Sequence, residues 1–487
     1  MNTISRRELI LAGGALGAAS ILTHPLLAAA QNVATTSPLA SLRERLRGSV
    51  ILPGDAGYDQ ARKVWNAMID RRPAAIAQCT GVGDVIETVN YARENGVPVS
   101  VRGGGHNVAG KAVRDDAIMI DLAPMRGIRV DPERKTGRAQ GGVRWGAFDY
   151  ETAALGLVTT GGTVSTTGVA GLTLGGGLGW LMRKHGLSCD NLVEADVVTA
   201  DGRFLKASAN ENSDLFWALR GGGGNFGVVT SFEFALHDAE PIIAGMALYP
   251  GTKLRDVLTF FREYTASAPD SVTTMAGVFT GDPAQSGPER NMAWIAVCHS
   301  GPLDEGMRLV QPIKAFGPPL NDGIGEMPYR RLQTMFDAGS GPGQRGYWRS
   351  NFMEQLSNEA IETFTAIADA GLAGAGTGMF IEHMGGAIAR IGEHETAFSN
   401  RSANYNATIL GSWGDAAEDP VNIAWTRASG DKLKAFATGA GYVNYMTGDE
   451  GGERIRSTYE TNLARLIEVK RKYDPENFFS SNQNIAP

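Results

Sequence analysis

Val99-Ser100-Val101-Arg102-Gly103-Gly104-Gly105-His106-Asn107 is a short β-branched run that ends in an arginine, three glycines and one of seven histidines. Glycines allow positive φ and close backbone approach, so their N–H groups can face phosphate oxygens, with Arg102 offering a planar fork of donors. A triple glycine is also an ordinary turn, and the residues after it decide its meaning. A dinucleotide-binding Rossmann turn needs its glycines to open a helix whose N-terminus holds the pyrophosphate. Here Asn107-Val108-Ala109-Gly110 is a poor helix start, and Ala117-Ile118-Met119-Ile120-Asp121-Leu122 soon comes as another apolar run. The order is strand, loop, strand, which argues against a nicotinamide-type site.

Upstream, a helix is expected over about Val82 to Glu94, ended by Gly96 and Pro98. Further upstream, Ala61–Ile69 carries an apolar face and reads as a helical entry stopped by Arg72-Pro73. Downstream, a helix opens near Trp145, and Thr159–Trp180 is the densest small-residue segment of the chain. No large polar side chain stands at its centre, so its backbone is its chemistry: N–H groups for a pyrophosphate or a ring edge, or a glycine-rich packing corner. Asn191–Ala200 alternates as a strand, Asp201-Gly202 is a hairpin turn, Asp214–Arg220 is a short helix, and Phe226–Leu236 is a long β run.

After about residue 240 the pattern shifts to longer helices, near 252–266, 303–316, 351–371 and 418–438. They alternate with strands near 245–249, 272–280, 292–299, 378–384 and 405–413, which reads as a second α+β domain. The tail carries Tyr442-Val443-Asn444-Tyr445, a charged helix over about Glu453–Tyr473, and Asn482-Gln483-Asn484-Ile485. If that tyrosine pair is extended, the two rings point to opposite sides. The fold class is α+β. Expected boundaries are a leader over 1–30, a linker and helical entry over 31–70, a first domain over 71–240, a second over 241–435, and a C-terminal segment over 436–487.

The 487 residues exceed one ordinary core, and a net charge of −7 without a long basic run argues against nucleic acid or an anionic membrane as partner. Ser5-Arg6-Arg7-Glu8-Leu9-Ile10-Leu11, then a small apolar stretch and Leu27-Ala28-Ala29-Ala30, resemble a twin-arginine export leader, which carries its cargo already folded to the periplasm or exterior. No stable membrane association is expected once such a leader is removed. The three cysteines, Cys79, Cys189 and Cys298, form no disulfide framework or metal-ligand spacing and are expected to be buried thiols.

Taken together, the 102–107 loop, Gly162–Trp180, Gly186-Leu187 with Asp190-Asn191, Asp214–Val229, the Tyr442–Tyr445 pair, Lys470–Pro475 and Asn482–Ile485 resemble the berberine bridge enzyme-like branch of the FAD-linked oxidases, over nearly all of the chain beyond the leader. The resemblance implies a two-part FAD-binding domain of the vanillyl-alcohol-oxidase (PCMH) type, an α+β substrate domain whose sheet is covered by helices, and a C-terminal segment returning to the flavin. It implies a covalent bond from His106 to the methyl group on the flavin's benzenoid ring. It also places Arg102, Gly103, Gly104, Gly105, Asn107, Gly162, Thr163, Val164, Gly168, Gly171, Gly175, Gly176, Gly179, Trp180, Val228, Val229, Tyr445, Asn482 and Asn484 at the cofactor. Many relatives attach the flavin a second time through a cysteine where this chain has Val164, so a single link is expected.

For catalysis the resemblance implies that Tyr445 acts as base, with Tyr405 and His383 as further candidates. The named enzyme of the family uses a strand glutamate, and the strand matched to it here, Asn404–Thr408, has no carboxylate. Tyr329 and Gln333 fall in a segment that borders the pocket in relatives. The implied reaction is oxidation of an alcohol or amine carbon of a small molecule such as a sugar or secondary metabolite. Hydride goes to FAD, and dioxygen is the electron acceptor. A dehydrogenase serving a quinone or protein, and a catalytically silent flavin-binding relative, are the alternatives.

Overall fold

The structure is a computed structural model that describes residues 38–281, 287–374 and 376–487; the leader expected over 1–30 lies outside them. Three main sheets carry the architecture. The first has the order Ser49–Ile51, Ala75–Gln78, Ile118–Asp121, Val99–Arg102, and its last three strands run parallel. Parallel neighbours need a crossover, supplied by the helix Val82–Glu94, which buries Val85, Val89, Tyr91 and Ala92. The Asp84 carboxylate anchors its first turn by accepting from the backbone N–H groups of Thr80 (2.8 Å), Arg47 (2.7 Å) and Gly48 (3.1 Å). Gly96, at φ +63°, ends it.

The second sheet is antiparallel, in the order Ile128–Asp131, Thr136–Gln140, Val228–Ala235, Leu192–Val198, Phe204–Ser208. Alternation sends Phe232 and Phe234 inward, where Phe234 meets Trp145 and Phe148 of the helix Trp145–Ala153 at ring distances of 5.6 Å. On the outward face Arg138 sits among Glu194, Asp196 and Glu233.

The third sheet has eight strands. The path runs Asn321–Asp322, Ile242–Pro250, Asn291–Ser300, Val272–Thr280, Gly378–His383, Tyr405–Trp413, Arg345–Met353, and Gly325–Met327 also pairs with Ile242–Pro250. The helices Leu254–Thr265 and Asn358–Asp369 cover one face, packing Leu258, Phe261, Ile361 and Phe364 on Ala276, Val278 and Ile381. Each such buried side chain contributes roughly 1.5–3 kcal/mol. The opposite face is free to wall a cavity.

The last fifty residues return to the first two sheets. Val443, Met446, Tyr459, Leu466, Val469, Tyr473 and Ile485 join the core of the second sheet, and Phe479 joins that of the first. Buried Lys470 locks this return by donating to Asp474 (2.6 Å), Asn225 O (2.8 Å) and Phe479 O (3.1 Å). The α+β arrangement agrees with the fold class read from the sequence.

Four local expectations need correction. The helix expected over Ala61–Ile69 stops where it was to begin, at the end of the short helix Tyr58–Ala61, and the chain then tracks the glycine loop, with Trp65 N–H donating to Gly105 O (3.0 Å). The helix expected over 351–371 is a strand, Arg345–Met353, followed by a helix, Asn358–Asp369, because the apolar run pairs along Tyr405–Trp413. The charged tail helix is two, Gly452–Tyr459 and Leu463–Tyr473. Val443–Tyr445 is a 3₁₀ turn, which brings the Tyr442 and Tyr445 rings to 4.8 Å instead of opposite sides.

Candidate active site

A cavity of about 630 Å³ runs from the glycine loop after Val99–Arg102 to the free face of the third sheet. Its first wall is backbone. Gly103, Gly104 and Gly105 line it together with Gly168, Gly171, Gly223, Gly224 and Gly227. A β-carbon on Gly104 would stand 2.5 Å from the backbone of Gly168, so two loops pass at a distance that only glycine permits. At Gly171 and Gly224 an added β-carbon meets nothing within 4 Å, because both face the cavity. Asn482 lines the same region, and its Oδ1 is buried without a hydrogen-bond partner. Lys111 is the one lysine or arginine among the described lining residues. Open glycine backbone, an unsatisfied amide and a single cation suit a large, flat cofactor carrying a diphosphate.

His106 stands at one side of this wall. Its Nε2 lies 2.9 Å from Thr166 Oγ1, and its ring stacks on Trp65 at 5.5 Å and 23°. Enclosure, aided by nearby Arg144, pulls its pKa down to about 4, so the imidazole is neutral and nucleophilic at neutral pH. Trp65 Nε1 donates to Ser340 O (2.7 Å), and Asp337 accepts from Ser165 N (2.9 Å) and Oγ (2.6 Å). The segment around 337–340 thereby braces the loop that holds His106. Val164 lines the cavity, whereas Cys79, Cys189 and Cys298 are buried free thiols away from it.

The second wall is made of side chains. Alternation along Gly378–His383 puts Phe380 and Glu382 on the cavity face, with Met275 and Asn406 opposite Glu382 in the neighbouring strands. Glu382 is 1% exposed; its Oε2 accepts from Asn406 Nδ2 (2.6 Å), and its Oε1 accepts from the Tyr445 hydroxyl (3.4 Å). Burial raises its pKa to about 7 against the lowering effect of those two donors. Burial and the Glu382 charge raise the Tyr445 phenol well above its ordinary value. Trp348 meets Tyr445 edge-on at 5.3 Å. Tyr442 holds the cofactor wall instead: its hydroxyl accepts from Gly177 N (3.0 Å) and Leu178 N (3.2 Å).

Of the residues expected from sequence, the cavity is lined by Gly103–Gly105, His106, Asn107, Thr163, Val164, Gly168, Gly171, Val229, Tyr445 and Asn482. Several others are corrected. Arg102 is no phosphate donor: Asp121, its parallel-strand partner, accepts from Nε (2.8 Å) and Nη2, and Ala61 O accepts from Nη1 (2.5 Å). Gly175, Gly176 and Gly179 are packing glycines, closed by Asn444, Phe398 and the carbonyl of Gly161, and Gly162 is closed by Leu172. Trp180 stacks on Phe336 (5.8 Å), Val228 belongs to the core of the first sheet, and Asn484 does not line the cavity.

Tyr405 and His383 point to the helix-covered side of the sheet. The Tyr405 hydroxyl pairs with Thr265 Oγ1 (2.8 Å), and His383 Nε2 pairs with the Arg183 guanidinium (3.0 Å). Burial, reinforced by the Arg183 charge, lowers the His383 pKa to about 3. Gln333 donates to buried Asp149 (2.8 Å) behind the pocket, and Met335 and Phe336 are the lining residues of that segment. Tyr445, expected as the base, does line the cavity, and its hydroxyl donates to the buried Glu382 carboxyl. Sequence reasoning missed Glu382. The carboxylate absent from Asn404–Thr408 lies across the register from Asn406, and a lone glutamate in an apolar strand, on the face opposite His383, is the signal that could have found it.

A family model described as FAD binding domain matches residues 73–208, and one described as berberine and berberine like matches 441–486. The (R)-6-hydroxynicotine oxidase of Paenarthrobacter nicotinovorans is 32% identical, covering 91% of this chain and 97% of its own. An FAD-linked oxidoreductase of Dictyostelium discoideum is 30% identical over 94% and 98%. Among solved structures, 6-hydroxy-D-nicotine oxidase from Arthrobacter nicotinovorans superposes with a TM-score of 0.80 at 29% identity, covering 91% of this chain and 98% of that one.

Proposed function

The chain belongs to the berberine bridge enzyme-like FAD-linked oxidoreductases, and from that premise we propose that it oxidises a small organic molecule at a carbon bearing oxygen or nitrogen, with FAD attached through His106 alone and dioxygen as the electron acceptor. The observation that carries this reading is the placement of a buried carboxyl, Glu382, and the Tyr445 hydroxyl in the same cavity as His106. FAD, when bound, supplies the two-electron hydride acceptor. Gly103–Asn107, Thr163, Gly168, Gly171 and Asn482 are the residues that would hold it, and His106 the one that would bond to it. Val164 offers no thiol for a second bond.

Glu382 takes the proton that leaves the substrate's heteroatom. A carboxyl whose pKa stands at about 7 is half ionised at neutral pH and so is matched to a general base. Tyr445 keeps its own proton and donates to Glu382, which orients the carboxylate and favours its ionised form. The apolar side chains around the pair exclude water and strengthen that hydrogen bond. The paired arginines Arg6 and Arg7 support export of the loaded protein by a twin-arginine route.

The test has three readouts. Acid precipitation should leave yellow colour on the protein, and released FAD refutes the covalent link. Anaerobic mixing with substrates should bleach the flavin, and a flavin that no alcohol or amine reduces refutes the oxidation. Hydrogen peroxide formed in proportion to substrate supports dioxygen, whereas dye reduction without peroxide points to a quinone or protein acceptor.

A further inference from the structure

One stretch of the cavity's rim is held from two sides. The short helix Tyr329–Gln333 runs into Met335, Phe336, Gly339 and Ser340, which line the cavity as a strap beside the substrate wall. Its far end is pinned to the loop that holds His106, by Asp337 on Ser165 and by Ser340 O, which accepts from Trp65 Nε1 (2.7 Å). In between, Phe336 stacks on Trp180 (5.8 Å) and leans on Trp294 (6.0 Å). The near end is tied to the helix Trp145–Ala153, where Gln333 Nε2 donates to Asp149 Oδ2 (2.8 Å).

Both partners of that tie are out of water, Asp149 at 3% and Gln333 at 1% exposure. As a carboxylate, Asp149 would leave two faults: a buried charge without a counter-ion, and a Gln333 Oε1 buried with no donor, because a carboxylate only accepts. Arg330, whose charge reaches Asp149, lies over the exposed Tyr150 ring at 4.2 Å instead of on the carboxyl. A proton on Asp149 removes both faults at once. Its O–H supplies the donor that Gln333 Oε1 lacks, and the charge is gone. Burial pushes the Asp149 pKa up to about 7, against the lowering effects of Gln333 and Arg330. We infer that Asp149 and Gln333 form an acid–amide pair, each donating to the other, and that this pair is a proton-dependent latch on the cavity strap.

The groups around Asp149 fix what happens when it ionises. From the strap helix they are Gln333, Arg330 and Tyr329, whose hydroxyl is buried without a partner and keeps its proton because burial raises it well above its ordinary value. Behind Tyr329, burial pushes the Cys298 thiol up to about 12. On the Asp149 helix itself Tyr150 and Glu151 are exposed. Of the strands packed on that helix, Leu157–Val158 carries no charge, and Ile128–Asp131 carries exposed Arg129 and Asp131, which accepts from the backbone of Glu133 and Arg134. None of them pairs with an ionised Asp149. On ionisation the proton leaves to solvent, Gln333 Oε1 loses its donor, and opening the strap is what hydrates the carboxylate. The folded protein holds this proton up to about pH 7 against an ordinary 3.8, so its contribution to stability is complete below pH 3.8 and is lost as pH rises through 7. Met335 and Phe336 are thereby held at the cavity in acidic and neutral surroundings and released in alkaline ones.

Hydrogen exchange of the flavin-loaded enzyme, read by mass spectrometry at about pH 6 and about pH 8.5 with labelling times scaled for the faster chemical exchange, tests the latch. Peptides covering 329–340 should lose protection by about tenfold or more at the higher pH, while those covering Leu463–Tyr473 stay level. Asp149→Asn keeps a hydrogen-bonding partner for Gln333 and cannot ionise, so its strap should be equally protected at both pH values. Gln333→Leu should exchange fast at both. Glu382→Gln should respond as the parent does, since that carboxyl has no part in the latch. A parent strap whose protection stays level with pH overturns the inference, whether or not the variants fold. So does an undiminished pH response in Asp149→Asn, or one abolished by Glu382→Gln, which would assign the response to the cavity carboxyl.

Discussion

The two walls of the cavity are built from opposite materials. The cofactor wall is backbone, where glycines at 103–105, 168, 171 and 223–224 let loops approach each other and leave room for a large ligand. The substrate wall is side chain, set out on alternating positions of antiparallel strands and holding one carboxyl among apolar groups. The difference teaches where change is tolerated. Adding an atom at Gly103, Gly104 or Gly168 of the first wall collides with the main chain of a neighbouring loop, whereas exchanging an apolar side chain on the second reshapes the pocket and leaves the sheet intact.

The sharpest way to separate the walls is Glu382→Gln, which keeps shape and removes the base. We expect kcat to fall by about 10²–10⁴ with FAD content unchanged, measured by stopped-flow flavin reduction. Turnover within about tenfold of the parent enzyme would move the base elsewhere. Gly104→Ala attacks the other wall. Its β-carbon meets the Gly168 backbone, so about 1–3 kcal/mol of stability should be lost, with less FAD bound. A variant that melts like the parent and binds FAD fully would show the loops to be compliant.

The pH dependence sharpens the comparison further. The folded protein holds the Glu382 proton up to about pH 7, against an ordinary value of 4.5. Its contribution to stability is therefore complete below pH 4.5 and lost as pH rises through 7, while kcat/KM rises over the same upper range as the base ionises. Glu382→Gln should then melt later than the parent at pH 8, by ~1–3 kcal/mol, and lose the ascending limb of the rate profile. Equal melting at pH 8 would mean that the ionised carboxylate costs the fold nothing. The smallest expected effect is that of Thr166→Val, which removes the partner of His106 Nε2. It should cost about 0.5–1.5 kcal/mol and lower the share of FAD that survives acid precipitation. An unchanged share would leave Trp65 stacking to orient the ring.

The same contrast explains how much is legible in the sequence. The cofactor wall is largely readable because its glycines sit together in the chain, and the strand-loop-strand order around 99–122 already separates it from a Rossmann turn. Arg102 misleads because a guanidinium beside glycines suggests phosphate, while the parallel register with Asp121, a tertiary fact, satisfies it first. Glu382 and Tyr445 lie 63 residues apart and meet only through the register of the third sheet and the 3₁₀ turn at Val443–Tyr445. His383, one residue along, is the more conspicuous side chain in the sequence, yet period-two alternation sends it to the wrong face.

The return of the C-terminal segment makes closure of the pocket a long-range event. Tyr442, which grips the Gly177 and Leu178 backbone, and Asn482 and Gln483, which line the cavity, stand more than 300 residues along the chain from the glycine loop at 103–105. A chain cut before Tyr442 keeps that loop but lacks this part of the wall, and it should hold FAD poorly even with His106 intact.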